Sequence, residues 1–301
     1  MQPIDTFVST DDGVQLFVRT LGEGRRVVVL PNGFHLSDDF GFLARDRRLV
    51  VYDVRNRGRS GSVGDAPKLA RGILNDVDDL DAVRRHVGAD TIDLVGHSYI
   101  GLMIAVYAMN YGNRVGRAVQ IGPMEMTPGK AYPAHLNGDD DIRRAILARL
   151  GELQNEAATL EPIERCRRFW SVLRPLYVTD PADAVRITWD RCELENERNF
   201  MRYWVETLIP SMKNLALGAS DLASVNAPFL VVHGTRDRSA PYGGGREWAM
   251  RLGNARLLAV PDAGHAPWIE ASGLVFGAID AFLGGTWPES AQVVESLEPG
   301  A

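Results

Sequence analysis

Apolar residues along the chain follow two rhythms. Short, mostly apolar runs recur at Arg26–Leu30, Leu49–Val54, Thr91–Val95, Arg117–Ile121, Phe229–His233 and Ala255–Val260, the pattern of interior strands buried on both faces. Gly13–Gly22 alternates instead, which predicts an edge strand in an opening hairpin. Between the strands the period lengthens. Ile73, Val77, Leu80, Val83 and Val87 mark one face of a helix from about Gly72 to Val87, and Tyr99–Tyr111 is apolar nearly all round, as a buried helix must be. Strands alternating with helices predict the α/β class, with a mostly parallel central sheet and helices on both faces.

From Met124 to Ser224 the strand signal stops and charged amphipathic patterns take over. Ile142, Ile146, Leu150 and Leu153 mark the first long one. Pro123, Pro128 and Pro133 punctuate the entry, and Asn226-Ala227-Pro228 the exit. Because strands resume in the same style at Phe229, residues 124–224 are read as a helical cap inserted into one core formed by 1–123 and 225–285. The tail, 286–301, is rich in Gly, Pro, Ser and Glu and is expected to be loosely held.

Composition narrows the classes of function. A hydrophobic content of 45% over 301 residues suits a globular protein, and a net charge of −6 spread through mixed-sign segments argues against nucleic acid or an anionic membrane as partner. The longest apolar stretch, Ile100–Met109, is about half of the ~20 residues that a membrane span needs. Met1–Gly13 lacks the apolar core of a signal peptide, so a cytoplasmic address is expected. Cys166 and Cys192, the two cysteines, show neither CxxC nor Cys/His spacing; they are expected to be reduced, and no metal is implied.

The sharpest chemical signal is Gly96-His97-Ser98-Tyr99-Ile100-Gly101, set between a strand and a helix. That context suits a nucleophile elbow, in which a serine sits on a strained turn and small neighbours let strand and helix approach. Ile100 stands where a GxSxG motif has glycine, and the glycine comes one position later. A serine hydroxyl needs a base, and that base needs an orienting group. His265 lies in the loop after the last strand and is the candidate base. Asp237, just past Phe229–His233, is the candidate acid, with Glu125 as the alternative and Asp262 read as a turn residue. An oxyanion requires fixed donors. The amides of Tyr99 and Phe34, the latter in the Pro31-Asn32-Gly33-Phe34 turn, are the candidates.

With those residues in view, the chain resembles the capped α/β-hydrolase superfamily, in its proline-iminopeptidase-like and esterase-like branch. Asn32-Gly33-Phe34 is similar to that family's HG-x oxyanion loop, and Tyr52 to Ser60 resembles its D-x-R-G-x-G-x-S turn with one extra residue. Gly96 to Gly101 resembles its elbow, and Gly264-His265-Ala266-Pro267 with Glu270 its terminal histidine loop. The resemblance implies a serine hydrolase without cofactor that cleaves a small ester or lactone through an acyl-enzyme. Two other readings stay open: an aminopeptidase releasing N-terminal proline, and a non-catalytic ligand binder. The aminopeptidase needs carboxylates for an ammonium. Glu193 and Glu197 would share a face if their segment is helical, although a solvated face is the simpler expectation.

Overall fold

The computed structural model describes residues 2–156 and 159–298. Eight strands form one sheet in the order β1-β2-β4-β3-β5-β6-β7-β8. They are β1 (Ile4–Ser9), β2 (Gln15–Leu21), β3 (Val27–Pro31), β4 (Arg48–Tyr52), β5 (Ile92–His97), β6 (Val115–Ile121), β7 (Phe229–Gly234) and β8 (Ala255–Val260). β1 and β2 pair antiparallel and β2 runs antiparallel to β4; every pairing from β4 to β8 is parallel. β1 was not expected as a strand. Four of its six residues are exposed, so no buried face marks it in the sequence.

Helices α1 (Gly33–Phe40), α2 (Ile73–His86), α3 (Tyr99–Asn110), α4 (Asp141–Glu156), α5 (Pro162–Leu173), α6 (Glu195–Tyr203), α7 (Tyr242–Arg251) and α8 (Ser272–Gly284) carry the long-period patterns. Successive strand residues point to opposite faces. Val27 and Val29 therefore join Ile73, Met103 and Trp248 of α2, α3 and α7 in one core. Val28 and Leu30 join Leu36, Phe40, Val275 and Ile279 of α1 and α8 in the other. The sheet is thus covered on both faces, and no helix among the described residues is long and apolar enough to cross a membrane.

Residues between β6 and β7 fold as helices and irregular turns, including α4, α5 and α6. After α6 the chain winds more loosely through a π-helical stretch, Trp204–Leu208. Pro210 explains it, since proline has no N–H to bond the carbonyl four residues earlier. Two expectations fail here. Cys166 of α5 and Cys192 are joined in a disulfide, with Cα atoms 5.8 Å apart across 26 residues of sequence. Pairing depends on how the helices bring two Cβ atoms together, which residue counts do not reveal. Such bridges persist in oxidising compartments, which pulls against a cytoplasmic address. The tail is also held. Gln292 exchanges backbone hydrogen bonds with Leu257 of the edge strand β8, Ala291 and Val294 are buried, and Arg246 donates to the carbonyls of Ser296, Leu297 and Glu298. Backbone pairing along an open sheet edge supplies what the tail's side chains lack.

Candidate active site

Ser98 sits between the end of β5 and the start of α3 with φ 59° and ψ −128°, a region that residues with side chains avoid. The turn is over-determined. Ser98 N–H donates to Ile121 O at 3.0 Å, and Ser98 O accepts from Met124 N at 3.1 Å and Gly101 N at 2.9 Å. Such strain costs of order 1–3 kcal/mol and persists where the surroundings enforce it. Tight approach is carried by two glycines: a Cβ at Gly96 would lie 2.8 Å from Ile100 O, and one at Gly101 would lie 2.9 Å from Pro123 Cβ. Gly101, one position late in the sequence motif, is therefore the glycine that lets α3 meet the chain leaving β6. Ile100 is buried in the α2–α3 core, so its side chain is accommodated.

The carboxylate that meets His265 belongs to Asp237. Nδ1 of His265 donates to Oδ2 of Asp237 at 2.8 Å, and Nε2 has no partner among the described residues. Asp237 Oδ1 accepts from the backbone N–H of Ser239 (2.7 Å) and Ala240 (2.8 Å). Both side chains are fully buried. Burial by itself would raise the Asp237 carboxyl, but attraction to His265 and hydrogen bonds from His233 and His265 outweigh it and hold it well below the usual carboxylate range. Asp262 instead faces Arg236 at the surface. Glu125 packs near Gly244 of α7, its carboxyl raised chiefly by burial.

His97, the residue before Ser98, holds the two halves of the site together. Its Nε2 donates to His265 O at 3.1 Å, and the two rings lie 4.5 Å apart. Burial first, and the neighbouring His265 second, push His97 well below the ordinary imidazole value, so it stays neutral. Gly122, just after β6, completes the packing: a Cβ there would come within 2.9 Å of His265 Nδ1 and 3.2 Å of Asp237 Oδ2.

Ser98, His97 and Tyr99 line a cavity of about 760 Å³ between the sheet and the helical insertion. Phe169, Trp170, Trp189, Phe200 and Trp204 form much of its far wall. Trp189 stacks on Trp268 at 5.7 Å, and Trp268 meets His97 edge-on at 5.0 Å. The insertion is fastened at Arg57, which is buried and donates from Nε and Nη2 to Glu197 at 2.9 and 3.0 Å; Gly58 N–H adds a third bond to Glu197 at 2.8 Å. Phe200 covers the Arg57 guanidinium at 3.6 Å. Glu193 lies before α6, exposed, so the helical pairing of Glu193 with Glu197 does not form, and Glu197 is no solvated surface residue either. Tyr99 and Phe34 each fall in the first turn of a helix, α3 and α1, where amides lack an intrahelical acceptor; the Phe34 side chain lies outside the described residues. Among the described residues no group of three or more His, Cys, Asp and Glu stands together as metal ligands.

The family described as alpha/beta hydrolase fold matches residues 30–272. The chain belongs to that family. It is 27% identical to a non-heme haloperoxidase of Rhodococcus erythropolis over 86% of this chain and 92% of the relative. It is 26% identical to a bifunctional esterase/perhydrolase of Acinetobacter calcoaceticus, over 88% and 95%. Among solved structures, an esterase from Exiguobacterium antarcticum superposes with a TM-score of 0.68 at 14% identity, covering 94% of this chain and all of that one. A likeness at that identity speaks for the fold alone.

Of the residues singled out in the sequence, this alpha/beta hydrolase fold brings Asp237 and His265 into contact and sets Ser98 beside His97, which touches both the elbow and His265. Sequence reasoning gave no role to His97, His233, Gly122 or Arg57, and read Glu197 as one of an acidic pair with Glu193 rather than as the partner of Arg57. A His before the elbow serine and an Arg in the resembling turn were in view, but each takes its role from a partner distant in sequence.

Proposed function

We propose that the protein is a serine hydrolase that cleaves an ester or lactone with an apolar acyl or alcohol part through an acyl-enzyme. One observation carries the reading: a strained Ser98 elbow beside a fully buried His265–Asp237 pair, at the end of a cavity whose far wall carries aromatic side chains. In the first half-reaction His265 Nε2 takes the Ser98 proton as Oγ bonds the carbonyl carbon, and returns it to the departing alcohol oxygen. In the second, Nε2 takes a proton from water, whose oxygen bonds the acyl carbon, and Ser98 regains its hydrogen as the acid leaves. The Tyr99 and Phe34 amides would hold the oxyanion in both steps.

Relatives named as an esterase/perhydrolase, a non-heme haloperoxidase and a 2-hydroxy-6-oxononadienedioate/2-hydroxy-6-oxononatrienedioate hydrolase support a hydrolase of this fold. An aminopeptidase needs an unengaged carboxylate in the cavity. Of the two acidic residues that line it among the described residues, Glu197 has both oxygens engaged by Arg57 and Gly58, which leaves Glu206 as the carboxylate an ammonium would have to use. A fluorophosphonate probe should label Ser98, and p-nitrophenyl esters with longer or aromatic acyl groups should be cleaved faster than prolyl amides. No labelling of the folded wild type would remove the reading.

A further inference from the structure

His233 is the penultimate residue of β7, four residues before Asp237, and is fully buried. Its Nε2 lies 3.1 Å from Asp237 Oδ2 and 3.1 Å from Ala240 O. Both neighbours are acceptors, so Nε2 carries the hydrogen. The other ring nitrogen, Nδ1, has no partner among the described residues and is closed off by the backbone of Gly245, where a Cβ would stand 2.1 Å away. Tyr242 packs edge-on against the same ring at 5.8 Å. A buried, unpaired ring nitrogen is costly, and a phenyl ring would fill the same space without that cost. The imidazole is therefore explained by what Nε2 does.

We propose that His233 is a positioning residue, its one Nε2 hydrogen shared between Ala240 O and Asp237 Oδ2, so that the reactive unit is a chain of four: Ser98, His265, Asp237 and His233. The proposal rests on the reading of the first three as the hydrolytic unit. Asp237 then accepts three hydrogen bonds, two from backbone amides on Oδ1 and one from His265 on Oδ2, and faces a fourth N–H at 3.1 Å from Oδ2 in His233, whose hydrogen bond also reaches Ala240 O; together they restrain the carboxylate against turning away from His265. The second donor on Oδ2 also draws charge from the oxygen that faces His265. Asp237 in this arrangement orients the base more than it attracts a proton to it. The other titratable groups around this pair are His97 against His265, Glu125 from the chain after β6, Tyr177 over the His265 ring and Tyr242 of α7.

The test measures fluorophosphonate labelling of Ser98 against pH in the full-length wild type, His233→Phe and His233→Gln. Loss of the donor should slow labelling about tenfold, as expected for a hydrogen bond to an ionised group. It should also move the acid limb of the profile to higher pH, because the Asp237 charge then acts undivided on His265. Gln can place an amide N–H near the former Nε2 and should recover most of both effects. Wild-type behaviour in His233→Phe, or equal slowing in both variants with an unmoved acid limb, would overturn the proposal. Should the Phe variant fail to fold, NMR of the His233 Nε2–H proton in the wild type and in Asp237→Asn decides: the proposal requires the resonance to move when the carboxylate is neutralised, and an unmoved resonance, or the Nδ1–H form, overturns it. An unlabelled wild type would instead remove the hydrolase reading, and the NMR result would still judge whether His233 donates to Asp237.

Discussion

The two walls of the cavity are built on opposite plans. On the sheet side, each group of the proposed reacting unit stands near the end of a strand or the start of a helix, and backbone hydrogen bonds and missing Cβ atoms fix it: Ser98 by Ile121 and Met124, His265 by the space left at Gly122. On the insertion side, aromatic side chains line much of the space, and the helices are held together by one internal disulfide and tied to the rest by a few polar links. Geometry demanded to a fraction of an ångström comes from backbone, whereas shape that need only fit a substrate comes from side chains. Reactivity should therefore be sensitive to the first wall and selectivity to the second.

The largest effect should come from Ser98→Ala and His265→Ala. Each is expected to lower kcat by about 10³-fold or more with unchanged circular dichroism, and the double variant should be little worse than either single one, since in the proposed mechanism both belong to one proton-transfer unit. Breaking the insertion should do something different. Replacing Cys166 and Cys192 by alanine, or reducing them, should lower unfolding free energy by about 3 kcal/mol on the chain-entropy view of a loop this long, and raise KM for bulky esters more than it changes fluorophosphonate labelling. Equal loss of both would mean that the insertion supports the reacting groups directly.

Gly122→Ala sharpens the contrast. The added methyl must displace His265 or Asp237, and a shift approaching 1 Å can cost about 10²-fold; kcat should fall while KM for a bulky ester stays near wild type. The smallest effect concerns Asp76 of α2. This side chain is fully buried, and neither carboxylate oxygen has a partner among the described residues. Burial first, then repulsion from Asp79, pushes its carboxyl well above the ordinary value. A raised folded-state value means that the folded protein holds a proton which the unfolded chain releases near pH 4, so the group weakens the fold increasingly as pH rises from there. Asp76→Asn should raise Tm at pH 8 and change it little at pH 3. A lower Tm at both would show that the carboxylate has a stabilising partner.

How much of this was legible differs between the walls in the same way. The interior strands are written in their β-branched runs, and the elbow in Gly96, Ser98 and the strand before it, because local backbone geometry selects residues locally. Asp237 could be ranked above Glu125 and Asp262 because strand ends converge at one edge of a parallel sheet. The pairing of Cys166 with Cys192, the burial of Glu197 against Arg57 and the approach of His233 to Asp237 leave no local trace. Each joins residues whose types are compatible with many other partners. β1 and the tail escaped for a related reason, since their order comes from backbone pairing at the sheet edges and asks little of their side chains.

The sheet itself closes past the insertion. β6 and β7 pair directly, Ala118 opposite Phe229 and Ile121 opposite Val232, although the 107 residues from 122 to 228 lie between these strands. The entropy lost in joining the ends of a flexible loop grows only with the logarithm of its length, by about 0.6 kcal/mol per doubling. An excursion of a hundred residues thus weakens the β6–β7 seam by about 2 kcal/mol relative to one of ten, and the insertion's own packing can offset that. The seam sets almost no limit on how long or how varied the excursion can be, so the same reacting groups can sit under walls of very different size without rebuilding the sheet that holds them.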